Sequence, residues 1–382
     1  MAMYHQMGHH TENLVQELEG YAGAILSPLN SSADRMADLT SQENDVEDFV
    51  FDPQLYFPDT EREKLRDWQY FPRDVETADR SSLQWWRTIS RECCATTRSV
   101  GSSSVASPLI VPNVFSEEFL AHTVEVASLC LAEADGLNVY QTVLVEMKRL
   151  TTLDYVMRVA SIITGTECDD VYLVFVTDTA PRLELRDSRE LSGALRLIAE
   201  LSDAGVRVLV GHSGPEGVMY GQAGAAAWAT GKFFNLRRFT PGRFDEPAGG
   251  GGQLPYWFEP GLMAYLREAD VIRVLNAGLL SEMSTNNRFG VSILRQFSER
   301  PGEAWLADSW RLYMSLIAGI DESVSRGDSQ PSALLAAAED AWSHLDSDEI
   351  LLEEAKNDGS WVRPWRIALS GYRGDSWSMP SS

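Results

Sequence analysis

Short apolar runs, each closed by polar or charged residues and followed by helix-like spacing, recur along this chain. Phe49-Val50-Phe51 ends at Asp52-Pro53-Gln54, and Leu109-Ile110-Val111 ends at Pro112-Asn113. Val143-Leu144-Val145 ends at Glu146-Met147-Lys148, and the run 172–176 ends at Thr177-Asp178. The run 206–210 ends at Gly211-His212-Ser213-Gly214, and Phe233-Phe234 leads into Asn235-Leu236-Arg237-Arg238. Continuous rather than alternating apolar runs predict strands covered on both faces, as in a parallel sheet. The pattern predicts strands at 49–51, 108–112, 140–145, 171–176, 206–210 and 232–236. Between them it predicts helices at 116–134 with Ser116 as N-cap, at 153–163, at 188–204 ended by Gly205, and at 215–230. Two further strands, at 254–258 and 271–275 around a short helix at 260–268, would bring the count to eight. From residue 284 the spacing is helical, at 291–297, 305–320 and 332–345.

Two observations favour a closed TIM-barrel-like (β/α) repeat over an open doubly wound sheet. Polar groups end many different strands, as the mouth of such a barrel requires. No GxGxxG follows the first strand, so the dinucleotide fingerprint is missing. The expected organisation is an acidic, flexible N-terminal arm at 1–46, a barrel domain at 47–283 and a helical C-terminal extension at 284–382. The stretch 248–252, with four consecutive glycines, reads as a flexible loop.

Composition narrows the partners. The net charge of −24 and pI near 4.6 argue against nucleic acid and against an anionic membrane surface. No apolar run approaches the ~20 residues of a membrane helix, and the N-terminus lacks the pattern of a secretory leader. Four cysteines without CxxC spacing read as reduced thiols, and with them the chain reads as cytoplasmic.

The chemistry is expected at the strand ends. Glu146 and Asp178 are the candidate catalytic carboxylates; two at one mouth can exchange protons or hold Mg²⁺. His212, between glycines, is the candidate general acid or base. Asp52, Asn113, Lys148, Ser213, Asn235 and Arg237 are the candidate substrate-binding residues. Arg237 is placed to pair with a phosphate or carboxylate. The helix starting at Pro215 would offer its N–H groups to the same anion. There is no P-loop, HExxH, CxxC or nucleophile elbow.

These residues lead to the expectation of a barrel enzyme, of hydrolase or lyase type. It would act by acid/base chemistry on a small anionic substrate, phosphorylated and sugar- or nucleoside-like among the options, with Mg²⁺ as an optional cofactor. The alternative is a non-catalytic barrel-like scaffold that docks a protein partner through the N-terminal arm or the C-terminal helices. Convergence of Glu146, Asp178, His212 and Arg237 on one open cavity would favour the enzyme; their satisfaction by internal salt bridges would favour the scaffold.

Overall fold

The computed structural model describes residues 1–42, 46–60, 62–72, 80–245, 253–354 and 356–378. Eight parallel strands close on themselves: β1 (Ala2–Gln6), β2 (Gly23–Leu26), β3 (Asp48–Phe51), β4 (Ser104–Ala106), β5 (Asn138–Glu146), β6 (Asp170–Val176), β7 (Arg207–Gly211) and β8 (Ala227–Thr230). The seam is β1 against β8, with Ala2 opposite Ala227 and His5 opposite Thr230. This is a TIM barrel, with further helices beyond it. Strands β5 to β7 are Val- and Leu-rich and buried on both faces, which is why their sequence reads as unbroken apolar runs.

The barrel is lined by polar groups at both ends. At the lower end, the Tyr4 hydroxyl donates to Asp48 at 2.7 Å and Ser104 donates to the other oxygen at 2.9 Å. At the upper end, Gln6 Oε1 accepts from the Tyr172 hydroxyl and the His212 amide, both at 3.3 Å. His5, between Tyr4 and Gln6 on β1, points to the opposite face, as strand alternation requires. It stacks on Tyr21 at 3.7 Å. Helix 306–326 then packs over the β8–β1 seam. The Trp228 indole donates to Asp321 at 2.8 Å, and Thr230 shares a 2.7 Å hydrogen bond with Tyr313.

The structure corrects several expectations. Residues 1–46 are not a flexible arm, because they contain β1 and β2 and two helices, Glu12–Glu17 and Ala33–Ser41, with buried Leu14, Val15, Met36 and Leu39. The strands were hidden by their brevity and by the polar residues that line the barrel ends. The barrel core therefore begins at residue 2 rather than at 47. The strand expected at 108–112 lies earlier, at β4, within the serine-rich stretch 99–107, where Ser104 donates to Asp48. The helix expected at 215–230 is a single 3₁₀ turn, Pro215–Met219, followed by β8. Trp228 lies so close to Gly217 that a Cβ there would fall 2.1 Å from its ring. The strand expected at 232–236 is irregular apart from a turn at Phe234–Leu236.

Neither proposed closing strand enters the barrel. Trp257–Glu259 (β9) and Ala264–Leu266 (β10) form a separate two-stranded antiparallel hairpin, with a turn where the short helix was expected. Residues Glu268–Asn276 are helical. The glycine stretch 248–252 lies outside the described residues. The remaining helices agree with their patterns. Ser116 caps Glu117–Glu133 by accepting from the Phe119 amide at 3.2 Å. Leu153–Ile163, Ser188–Asp203, Arg288–Glu299, Leu306–Arg326 and Pro331–Ser347 follow. Val362–Gly371 packs back on Ser188–Asp203, and the Trp365 indole donates to Leu185 O at 2.8 Å. Among the described residues no helix is long and apolar enough to cross a membrane.

Candidate functional site

The expected site residues separate into three places on the upper, C-terminal face of the barrel. The first is a shallow cleft of about 240 Å³ between β5 and β6, lined by Glu146, Lys148, Asp178 and Glu190. Lys148 bridges the two carboxylates, at 2.8 Å from Glu146 and 3.2 Å from Asp178. These carboxylates raise the Lys148 pKa, led by the Glu146 hydrogen bond. Asp178 is 87 % exposed, so the trio is a wet surface ion cluster rather than a dry proton-transfer site. The ammonium occupies the point between the acids where Mg²⁺ was expected. Among the described residues no group of three His, Cys, Asp or Glu is placed to hold a metal ion.

The second place is the head of the barrel axis. Asp52 and His212 are both buried there. Asp52 accepts from the Gln54 amide at 3.0 Å and the Tyr56 hydroxyl at 3.2 Å, and burial pushes its pKa up to about 6. Burial, reinforced by Arg243, holds His212 well below its ordinary pKa. The Leu236 carbonyl partly opposes that shift, yet neither ring nitrogen completes a well-formed hydrogen bond. Gln54 and His212 sit at φ 53° and 52°, a left-handed conformation that side chains adopt at a cost. The segment after β8 seals this head. Phe239 packs edge-on against His212 at 5.5 Å, and Arg243 reaches in to Ser27 Oγ at 3.3 Å. Ser213 is spent on the Val210 and Gly211 carbonyls, each at 3.4 Å. The N-terminus expected to bind an anion at Pro215 is already taken, because the Gly214 amide donates to Glu216 at 2.9 Å. Asn113 lies apart from all of these, exposed on the loop after β4.

The third place is the cavity of ligand size. It holds about 580 Å³ and lies above β6 to β8, in the size range of small-molecule sites. Asn235 and Arg237 line it, as do Arg182, Lys232 and Lys356. Its walls are aromatic: Phe233, Phe234, Tyr256, Tyr265, Trp310 and Tyr313. Four cations and no carboxylate stand among its described lining residues, in a chain of net charge −24.

Arg237 is fixed there by donating to Gly231 O at 2.8 Å and Lys232 O at 2.9 Å. Its guanidinium carbon lies 3.4 Å from the Tyr313 ring centre and 4.8 Å from those of Phe234 and Tyr265. Lys232 donates to His10 O at 2.8 Å, and its amine lies 4.6 Å and 4.8 Å from the Trp310 and Phe233 rings. Burial lowers its pKa to about 8, with Glu12 opposing. Arg238, next in the chain to Arg237, is buried against Glu216 at 2.5 Å and Glu184 at 3.3 Å. Burial pushes Glu184 up to about 7, against the pull of Arg238.

The sequence shows a local basic patch of Lys232, Asn235, Arg237 and Arg238 with Arg243 beyond. Lys232, Asn235 and Arg237 line the pocket, whereas Arg238 pairs with Glu216 and Glu184 and Arg243 reaches to Ser27. The rest of the pocket comes from distant segments, at 180–183, 253–265, 309–313 and 356, which no local pattern joins. Glu146, Asp178 and His212 do not converge with Arg237, so the convergence that would favour an enzyme is not met at these four residues; Glu146 and Asp178 are instead satisfied by Lys148.

A closed eight-strand parallel barrel with a cationic, aromatic-walled pocket on its C-terminal face defines the class of protein: a TIM-barrel protein whose pocket lies where such folds bind small molecules. No protein-family model and no curated protein matches the chain. A solved structure of an L-ribulose 3-epimerase aligns with a TM-score of 0.36 and 13 % identity, covering 87 % of this chain and 99 % of that one. At that score the alignment carries no argument about the site.

Proposed function

We propose that this protein is a barrel enzyme that binds a small anionic substrate in the pocket above β6 to β8. The observation that carries the reading is the charge of that pocket: four cations and no described carboxylate line it, within a strongly acidic chain. Lys356 is paired with Glu354 and Arg182 is exposed, but the buried Lys232 and Arg237 have no carboxylate partner among the described residues. Leaving them so beside an apolar wall costs solvation, and a bound carboxylate or phosphate would offset that cost. Arg237 holds the anion with its remaining N–H groups, and Arg182 and Lys356 close the rim. Asn235 adds a neutral donor and acceptor.

Of the two expected reaction types, the lyase fits the pocket better. An amine rather than a pair of carboxylates faces the ligand space, and Glu146 and Asp178 are engaged elsewhere with Lys148. Lys232 is the proton-exchanging group in this reading, because its pKa of about 8 lies near working pH.

The test is thermal stability across a panel of inorganic phosphate, sugar phosphates, nucleotides and carboxylates. A ligand that binds the folded state raises the midpoint. Arg182 is exposed at the pocket rim, so Arg182→Ala leaves the fold intact. It is expected to weaken the best anion by roughly tenfold, the worth of one charge-assisted hydrogen bond. A midpoint that no anion moves would overturn the reading.

A further inference from the structure

We infer that Lys232 is a covalent nucleophile and that its substrate is an aromatic 2-oxo acid, whose carbonyl condenses with the lysine amine. This rests on the anion-site reading above and specifies its substrate.

Three features of the pocket meet in such a ligand. The first is the amine. The chain has four lysines, at 64, 148, 232 and 356. Lys148 and Lys356 are paired with carboxylates, whereas Lys232 makes no ion pair among the described residues. Its hydrogen bond goes to a neutral carbonyl, His10 O, and two aromatic rings flank it. With a pKa of about 8, about a tenth of the amines are neutral at pH 7, against roughly one in a few thousand for an ordinary lysine. A neutral amine is the form that attacks a carbonyl.

The second feature is the anchor for a carboxylate. Arg237 donates to the backbone carbonyl of Lys232 itself at 2.9 Å, so the guanidinium is braced against the residue that carries the amine. A carboxylate on the remaining N–H groups of Arg237 would lie in the same space that the Lys232 side chain lines. The third feature is the wall. Trp310, Phe233 and Tyr256 border the same space and favour a flat ring by stacking and edge contacts.

The step is balanced without a further reactant. The nitrogen attacks the carbonyl carbon, both nitrogen protons pass in turn to the oxygen, that oxygen leaves as water as the C=N bond forms, and the imine nitrogen takes up a proton from solvent. The protonated imine can then accept the electron pair of an adjacent C–H or C–C bond, the chemistry a lyase needs.

The experiment incubates the full-length protein with phenylpyruvate and sodium cyanoborohydride, followed by intact mass and peptide mapping. Reduction of the imine adds the mass of the acid less one oxygen atom. The expected result is one adduct, on Lys232, that is lost in Lys232→Met and retained in Lys148→Met. Phenylpyruvate is expected to outcompete pyruvate by about tenfold, the worth of one or two aromatic contacts. Mapping on the wild-type protein locates the adduct even if Lys232→Met fails to fold. Equal labelling of all four lysines, or no adduct while phenylpyruvate still raises the thermal midpoint, overturns the nucleophile and leaves the anion site standing. Trapping pyruvate as well as phenylpyruvate overturns the aromatic specificity. No adduct together with no thermal shift from any anion overturns both this inference and the function on which it rests.

Discussion

Lys148 and Lys232 stand on the same face of one barrel and are driven in opposite directions. Lys148 is exposed between two carboxylates, which raise its pKa. Lys232 is walled in by aromatic rings with a carbonyl for company, and burial lowers its pKa to about 8. Both residues follow strand ends in the sequence, so position along the chain does not distinguish them. What separates them is the company each keeps: Glu146 from its own strand end and Asp178 from the next for Lys148, Phe233 beside it and Trp310 from a distant helix for Lys232. The lesson is that a polar residue at a strand end becomes a site only when its surroundings leave it without a partner.

The largest expected effect comes from the buried ion knot of Arg238, Glu216 and Glu184. Glu216→Ala leaves buried Arg238 with only Glu184, at 3.3 Å. Breaking a buried pair in this way costs about 3–5 kcal/mol. Chemical denaturation should show a loss of that size, together with loss of anion binding. A change below about 1 kcal/mol would mean that the knot is no stronger than the surface trio around Lys148.

Next comes the same rule of burial applied to a carboxylate. Burial raises Asp52 to about 6 from 3.8, so its ionised form is a burden above pH 6 that is relieved as pH falls towards 3.8. Asp52→Asn keeps an acceptor for the Gln54 amide and avoids the burden. The variant should be more stable than wild type at pH 7.5, by about 3 kcal/mol at most, with the advantage shrinking towards pH 4. A constant difference between pH 4 and 7.5 would contradict the assigned burial.

The last test sharpens the comparison itself. Lys232 has a folded pKa of about 8 against 10.5, so wild type should gain stability relative to Lys232→Met as pH rises from 8 to 10.5. Lys148 has a raised folded pKa, so its contribution is present at neutral pH and is lost as pH climbs past 10.5. Thermal midpoints of wild type and the two Met variants between pH 7 and 11 should therefore diverge with opposite slopes. Parallel slopes would erase the distinction between the two lysines.

The middle of the barrel was legible because β5, β6 and β7 are unbroken apolar runs covered on both faces and separated by helices with clear apolar spacing. It failed at both ends of the strand order. Ala2–Gln6 mixes a tyrosine, a histidine and a glutamine, because the polar ends of the barrel require them. Ala227–Thr230 follows an alanine-rich stretch that reads as helix, yet it closes the ring against β1. Of the site, Lys232, Asn235 and Arg237 stood out as a basic patch in an acidic chain. Trp310 and Tyr313 read as core residues of a helix, and nothing local ties them to a pocket. Glu146 and Asp178 were legible as strand-end acids, but their shared Lys148 was legible only as a neighbour of one of them.

Arg237 has one more consequence. Its guanidinium lies within 3.4–4.8 Å of three ring centres, so circulating ring electrons displace its proton resonances from those of the other arginines. The amide and guanidinium signals of this residue can then be followed individually in a nitrogen-correlated spectrum. Any molecule that enters the pocket must alter the same ring geometry. The protein thus carries a magnetic reporter of its own occupancy, readable without a label or an assay for turnover.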